Sequence, residues 1–518
     1  MNKAVEQKAS VARNTLIVLA FSLLTKMLSL VRESTVAAYA GTSIEADAYY
    51  MVSSLFVTLE LGLSTSIFQS FFPIYRQLTV KSEDAEQVKR FTNTAFSLLV
   101  ICAFVLAVFE LLGRELLINL IAPGFTQEAK QLSTYLIWFS APMLVFVVAA
   151  ECISAVLRAH NRFAQSQVRE SATHIAAILS VVLLYRSYGV KALGIGMLLG
   201  SLARLLIQLP ALNRVHKLRP AFDFKNPDIL EMLRRIPAIL ISASSTQIKS
   251  IIGKMIASLL PTGTVSALNY GHRLESALGG LLSTAMATGM YPEMVALFVK
   301  NEKEKLSKML YRSILVFALI VIPVCVGGFF TGEAIVSVVY QRGAFGANEV
   351  QTTAYVFMAY LMGTFFHGVS SIVSNIFFSA GNTRLPMIFN CIDLVLYTVL
   401  SLILREIMGV VGLALAASVS TIIVCCIRFA AARKYLCMPG RGFWSEMAKF
   451  AAGSLLAGIV SGGLIARIGV ESQLLKLCSV IAVFAPIYAV FLLLTKSTSL
   501  NDGISMVKRK LLRKRATK

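Results

Sequence analysis

The chain has 518 residues, 56% of them hydrophobic and 15% charged, with a formal net charge of +22. A mean hydropathy of +0.72 and a charge content well below the roughly 25% of soluble domains exclude an ordinary soluble globular protein. Apolar runs of spanning length recur from end to end, so the fold class is an all-α polytopic membrane protein.

Hydropathy and its interruptions predict fourteen spans. The first six lie near 14–31, 46–74, 91–112, 132–157, 170–185 and 190–212. Six more lie near 236–260, 265–291, 312–330, 353–378, 385–404 and 408–431, and the last two near 447–466 and 474–495. Turn-forming segments such as "APGF" (122–125), "RPAFDFKNPD" (219–228) and "SAGNTRLP" (379–386) separate them. The first run is too long for a cleavable signal peptide, lacks a small-residue cleavage site and leads into further spans. The eight cysteines are scattered, with no CxxC pair, and read as small apolar side chains rather than metal ligands.

Sorted by loop parity, 35 of the 49 Lys and Arg residues fall at the termini and in loops after even spans, against 8 in loops after odd spans. By the positive-inside rule both termini are expected in the cytoplasm. The basic tail "VKRKLLRKRATK" suits anionic lipid headgroups. The positive charge is thereby explained as an orientation signal, and no nucleic-acid partner is expected.

An internal repeat runs through this pattern. "LSTSIFQSFFP" (63–73) and "LSTAMATGMYP" (282–292) match at Leu-Ser-Thr and at Pro, 219 residues apart. Tyr135, Ser154 and Asn161 echo Tyr355, Ser374 and Asn382 at offsets of 220 to 221. An offset of six helices relates two halves of like orientation, the build of transporters with a site between halves. The expected organisation is an N-lobe at 1–219, a C-lobe at 220–436, and two C-terminal spans with the tail at 437–518. The two six-helix lobes are expected to be pseudo-symmetric around a central cavity.

Six basic residues fall within or at the edge of spans: Lys26, Arg32, Arg204, Lys249, Lys254 and Arg273. Lys26 sits about five residues, or roughly 7–8 Å, from its helix end, so snorkelling accounts for it taken singly. Arg204 reads as structural. The set asks for more. Lys26 and Glu33 are seven apart on one helical face. Ser242, Ser245, Thr246 and Lys249 make a polar stripe on the seventh span, and Arg273 with Glu275 opens the eighth. Charges tolerate bilayer depth when they face water and one another, so a cationic chamber between lobes is the economical account.

Such a chamber calls for an anionic substrate, and Lys and Arg together suit a phosphate. Tyr49, Tyr50 and Tyr270 are expected to touch a sugar or headgroup. Lys254 and Asp393, each deep in a span, are expected to pair. A membrane enzyme acting on polyprenyl phosphates is a weaker alternative, because His160, His174, His216, His272 and His367 are dispersed along the chain. There is no GxxxxGK[ST] loop, so no nucleotide or other cofactor is expected. Drive is left to the membrane potential, an ion gradient or consumption of product.

These motifs resemble a known family. "RESTVAAYAGTSIEADAYY" (32–50), "APGF", "HNRFA" (160–164), "NYGHRLESALGGLLSTAMATGMYPEM" (269–294), "QRGAF" (341–345), "SAGNTRLP" and "GLALAAS" (412–418) follow in the order seen in MurJ/MviN lipid II flippases. That family belongs to the multidrug/oligosaccharidyl-lipid/polysaccharide exporter superfamily. The resemblance implies a fourteen-helix, two-lobed flippase of the bacterial cytoplasmic membrane. Its substrate would be lipid II or a related polyprenyl-diphosphate glycolipid, moved to the outer leaflet, with cell-wall synthesis proteins as partners. By motif position Lys26, Arg32 and Arg273 would bind the diphosphate. Asp47, Glu33 and Glu275 would support the cavity as charge partners, and Lys249, on the polar stripe of the seventh span, is expected to join them. The chain departs from the family where Glu60-Leu61 replaces an Arg pair in the second span and where Lys249 and Lys254 are added to the seventh. These departures keep open another glycan, such as a capsule, exopolysaccharide or O-antigen unit.

Overall fold

A computed structural model describes residues 2–81, 85–160, 162–468 and 472–498, and these residues form sixteen helices and no strand. The chain falls into two compact units: residues 1–266 with 342–345, and residues 267–341 with 346–518. The basic tail at 507–518 lies outside the described residues, as do the side chains of Ser242, Ser245 and Thr246.

The first unit opens with α1 (Asn2–Ala40), α2 (Ile44–Lys81), α3 (Ala85–Leu112), the short α4 (Arg114–Ile121) and α5 (Gln127–Ala159). It continues with α6 (Phe163–Tyr188), α7 (Val190–Leu206), the short α8 (Leu209–Asn213) and α9 (Pro227–Ala257). The second unit holds all but the first turn of α10 (Thr264–Val299), then α11 (Lys303–Phe330), the short α12 (Gly332–Tyr340) and α13 (Ala347–Ser379). It ends with α14 (Arg384–Ala432), α15 (Arg441–Ile468) and α16 (Gln473–Leu494).

Gly409, at φ 56° and ψ −133°, divides α14 into two helices end to end. Setting aside the short α4, α8 and α12, the described residues then contain fourteen long helical segments, one at each predicted span. Among the described residues ten helices, with α14 counted once, are long and apolar enough to cross a membrane.

The repeat is legible in the backbone. Helices α5 and α13 both have 33 residues, and α3 and α11 both have 28. Gly189 ends α6 at φ 53° and ψ −133°, almost the dihedrals of Gly409, and the two are 220 residues apart. Helix starts follow local rules. Asn226 caps α9 by accepting from the Asp228 amide at 2.9 Å, with Pro227 at the first turn, where its missing N–H costs nothing. Helix α9 packs on α2 within the first unit, whereas the division by repeat groups it with the later helices. Each unit has its own apolar core. One gathers Phe71, Tyr75, Phe91, Cys152 and Val156 from α2, α3 and α5. The other gathers Phe317, Ile372, Phe377 and Phe389 from α11, α13 and α14.

The first unit also buries charge. Arg204 on α7 donates to Glu60 on α2 and to Glu151 on α5, and Glu151 also accepts from Arg169 on α6. Two cations and two anions thus neutralise one another across four helices, so none faces the low dielectric alone. Arg204 keeps its structural reading. Counting by loops places Arg169 in a cytoplasmic connection, yet it is only 4% exposed. Replacing Glu151 with Ala removes the carboxylate that both arginines share, leaving Arg204 with Glu60 and Arg169 with the exposed Glu170 at 3.6 Å, and is expected to cost about 3 kcal/mol. Glu60→Ala should cost less, because that carboxylate is 18% exposed. Denaturation of the two detergent-solubilised variants, compared side by side, checks the order; equal stability would refute it.

Candidate functional site

The motif-bearing end of the first unit is built around the start of α2. Arg32 and Glu33 are adjacent on α1, and the Arg32 guanidinium donates to the Glu33 carboxylate at 2.5 Å. Glu33 is 1% exposed and also accepts from the Tyr50 hydroxyl on α2 at 2.7 Å. Tyr50 in turn offers its backbone carbonyl to Lys254 Nζ of α9 at 3.1 Å, and the same ammonium lies 5.9 Å from the Tyr50 ring centroid. Three helices are thereby joined through one tyrosine: cation, carboxylate, phenol, cation. Lys26, expected beside Glu33, is exposed on α1 and makes no ion pair or hydrogen bond among the described residues. Arg32 Nε is buried and has no partner among the described residues.

Asp47, expected to balance the cations, serves the backbone instead. Its two carboxylate oxygens accept from the amides of Gly263 at 2.7 Å and Ser266 at 2.8 Å, in the turn from α9 into α10. Those are orphan donors of a helix start, where a carboxylate meets both the open N–H groups and the positive end of the helix dipole. Neighbouring loops close on the same end. The Ala344 amide donates to the Ala38 carbonyl at 2.8 Å, and the Gly124 amide donates to the Ser258 hydroxyl at 3.3 Å. Gly343 sits at φ 56°, and a Cβ there would stand 2.2 Å from the Ala38 oxygen, so only glycine permits this approach. The motifs "APGF" and "QRGAF" therefore mark close backbone contacts.

The second unit holds the remaining candidates. Arg273 is half-buried on α10, two residues before Glu275 of the same helix. Glu275 accepts from the Thr364 hydroxyl of α13 at 2.8 Å and lies 3.6 Å from His272 Nδ1. The His272 ring rests 5.3 Å from that of Tyr360. Asp393, half-buried on the first half of α14, interacts electrostatically with Arg428 beyond the Gly409 break. Arg428 donates to Ser374 at 2.8 Å and to Asn390 at 2.5 Å. Within the first unit Lys254 meets Tyr50, and within the second Asp393 meets Arg428.

Some residues take roles that the sequence does not assign. Tyr49, Tyr50 and Tyr270, expected to contact a sugar, are buried at 3%, 2% and 0% exposure and serve packing or hydrogen bonding. Arg428 was missed as a cation inside a span, although it lies within the predicted span 408–431. Lys249 is half-buried on α9. Outside the spans, His160 bonds the Tyr75 hydroxyl at 2.9 Å. Burial, with Arg162 and Arg76 nearby, holds its pKa below the usual histidine value. His216 instead bonds Asn93 at 2.9 Å. These histidines have separate, structural settings.

Comparison with known proteins agrees with this layout. The family model described as "Lipid II flippase MurJ" matches residues 36–485. A probable lipid II flippase MurJ of Buchnera aphidicola is 25% identical over 409 residues, 77% of this chain and 79% of that protein. The corresponding Vibrio cholerae protein is 25% identical over 421 residues, covering 79% and 80%. Among solved structures, a lipid II flippase MurJ in an inward closed conformation superposes with a TM-score of 0.77 at 21% identity, over 92% of this chain and 99% of that one. An inward-facing MATE family transporter of the MOP superfamily follows at 0.63 and 13%, over 81% and 97%. The fold is that of these transporters, and the apolar helices make this a multi-pass bacterial membrane protein. By the match across 36–485, the chain belongs to the MurJ family of lipid II flippases.

Proposed function

We propose that this chain is a lipid II flippase. It carries undecaprenyl-diphosphate-linked peptidoglycan precursor from the inner to the outer leaflet of the bacterial cytoplasmic membrane, with both termini in the cytoplasm. The observation that carries the reading is the family match over 36–485, joined to cations of the kind a diphosphate needs. Lys26, Arg32 and Arg273 bind the diphosphate. Lys26 is exposed and has its charge unspent among the described residues. Alternating access is supported by the fastening at Asp47, which consists of a few hydrogen bonds to backbone amides and so can open and re-form. On the proposed orientation this fastening lies at the outer face. Drive comes from the membrane potential, an ion gradient or removal of product, and peptidoglycan synthesis enzymes consume that product. A second reading, a flippase for another polyprenyl-linked glycan, is favoured by one observation: α2 presents Glu60, neutralised by Arg204, where the family resemblance leads one to expect arginines.

Complementation of a bacterium depleted of its own lipid II flippase tests substrate and cations together. Wild type should restore growth, while Lys26→Ala and Arg273→Ala at matched membrane levels should fail, and Arg273→Glu should abolish transport with insertion intact. Failure of well-expressed wild type would favour the other glycan. A second measurement concerns the fastening. Asp47→Ala removes two charge-assisted bonds and should weaken closure by about 1–3 kcal/mol. A cysteine introduced at Ser43 should then be labelled faster by an impermeant thiol reagent outside the cell. Unchanged labelling would show that Asp47 does not hold this end shut.

A further inference from the structure

The second unit contains a groove of about 980 Å³ that the transport reading does not use. That volume is at the upper end of the roughly 300–1,000 Å³ common for small-molecule sites. Its walls come from the end of α11, the start of α12, the first half of α13, the break in α14 and the start of α16. The break supplies one wall: Gly409 at φ 56° interrupts the helix between Met408 and Val411, both of which line the groove. The lining is apolar and soft, with Phe330, Met358, Met362 and Met408. Several of these faces are open to the bilayer, Met362 at 52% and Met408 at 45% exposure. Unbranched methionines adapt to a flexible hydrocarbon chain.

Two charged residues stand in this lining, Glu333 in the first turn of α12 and Lys476 in the first turn of α16. Neither has an ion-pair partner among the described residues. One cation and one anion at the same helix ends, above an apolar trough, match an amphiphile whose headgroup carries both signs. We propose that this groove binds a zwitterionic aminophospholipid of the phosphatidylethanolamine type. Its acyl chains lie in the trough, Lys476 meets the phosphate, and Glu333 accepts from the ammonium. Charge discriminates among the rivals. A diphosphate or an anionic glycerol headgroup leaves Glu333 facing like charge, and a quaternary ammonium has no N–H to donate to it. On the proposed orientation these helix ends face the outer leaflet, so the bound lipid braces α12 against α16 there.

Native mass spectrometry of the full-length chain tests this. Phosphatidylethanolamine, phosphatidylglycerol, phosphatidylcholine and undecaprenyl phosphate compete at equal concentration. Phosphatidylethanolamine is expected to be retained about tenfold over each of the others, the worth of one charge-assisted hydrogen bond. Lys476→Glu should lower its retention about tenfold, and Glu333→Gln should erase the preference over phosphatidylcholine. Met362→Trp, which fills the trough and leaves the charges in place, should lower retention as well. Preference for phosphatidylglycerol or undecaprenyl phosphate, retention unmoved by all three variants, or no retained lipid would each overturn the proposal.

Discussion

A charge carried to bilayer depth must find a partner, water or a route back to the surface, and this constraint organises the first unit. An uncompensated ion in a medium of low dielectric costs several kcal/mol even after relaxation. The chain meets that cost in two ways. Glu60, Arg204, Glu151 and Arg169 form a closed, neutral cluster inside the helices. Arg32, Glu33, Tyr50 and Lys254 form a chain that ends in cations and reaches three helices through one tyrosine. Only the second arrangement carries a net positive charge.

The closed cluster and the Asp47 fastening divide the mechanical work. The closed cluster joins α2, α5, α6 and α7, and breaking it strands buried ions, so those helices move together. The Asp47 fastening spends a carboxylate on the open amides of a helix start, which water satisfies nearly as well. Its loss costs less than a stranded ion. A carrier needs both kinds of bond: some that persist through the cycle, and some that exchange with solvent. The close backbone contacts at Gly343 and Ala38 sharpen the second kind, since they pack tightly without adding charge.

Much of the fold is legible in the sequence. Every long helical segment falls on a predicted span because hydropathy over 20 residues answers directly to the hydrocarbon thickness. The repeat shows in two short motifs and reappears as two glycines of nearly the same dihedrals, Gly189 and Gly409. The site is only half legible. The basic residues stand out because charge is rare in apolar runs. Arg169 and Arg428 escaped, since counting by loops cannot see that a residue at a span edge turns inward. The tyrosines misled for a related reason: an aromatic hydroxyl suits a sugar or a buried carboxylate equally well, and only burial separates the two.

The sequence by itself determined what any membrane chain must declare locally: where apolar runs of spanning length lie, which loops are basic, where helices start and break, and which family shares the motifs. Those properties are read within a few residues of one another. Tertiary structure alone decided who holds whom. Glu33 takes Arg32 and Tyr50, Asp47 takes the amides of Gly263 and Ser266, and Lys254 takes the carbonyl of Tyr50. These partners are separated by up to 219 residues. A buried charge accepts any donor or counter-ion of suitable geometry, so its choice is set by which helices pack together and not by what stands beside it in the chain.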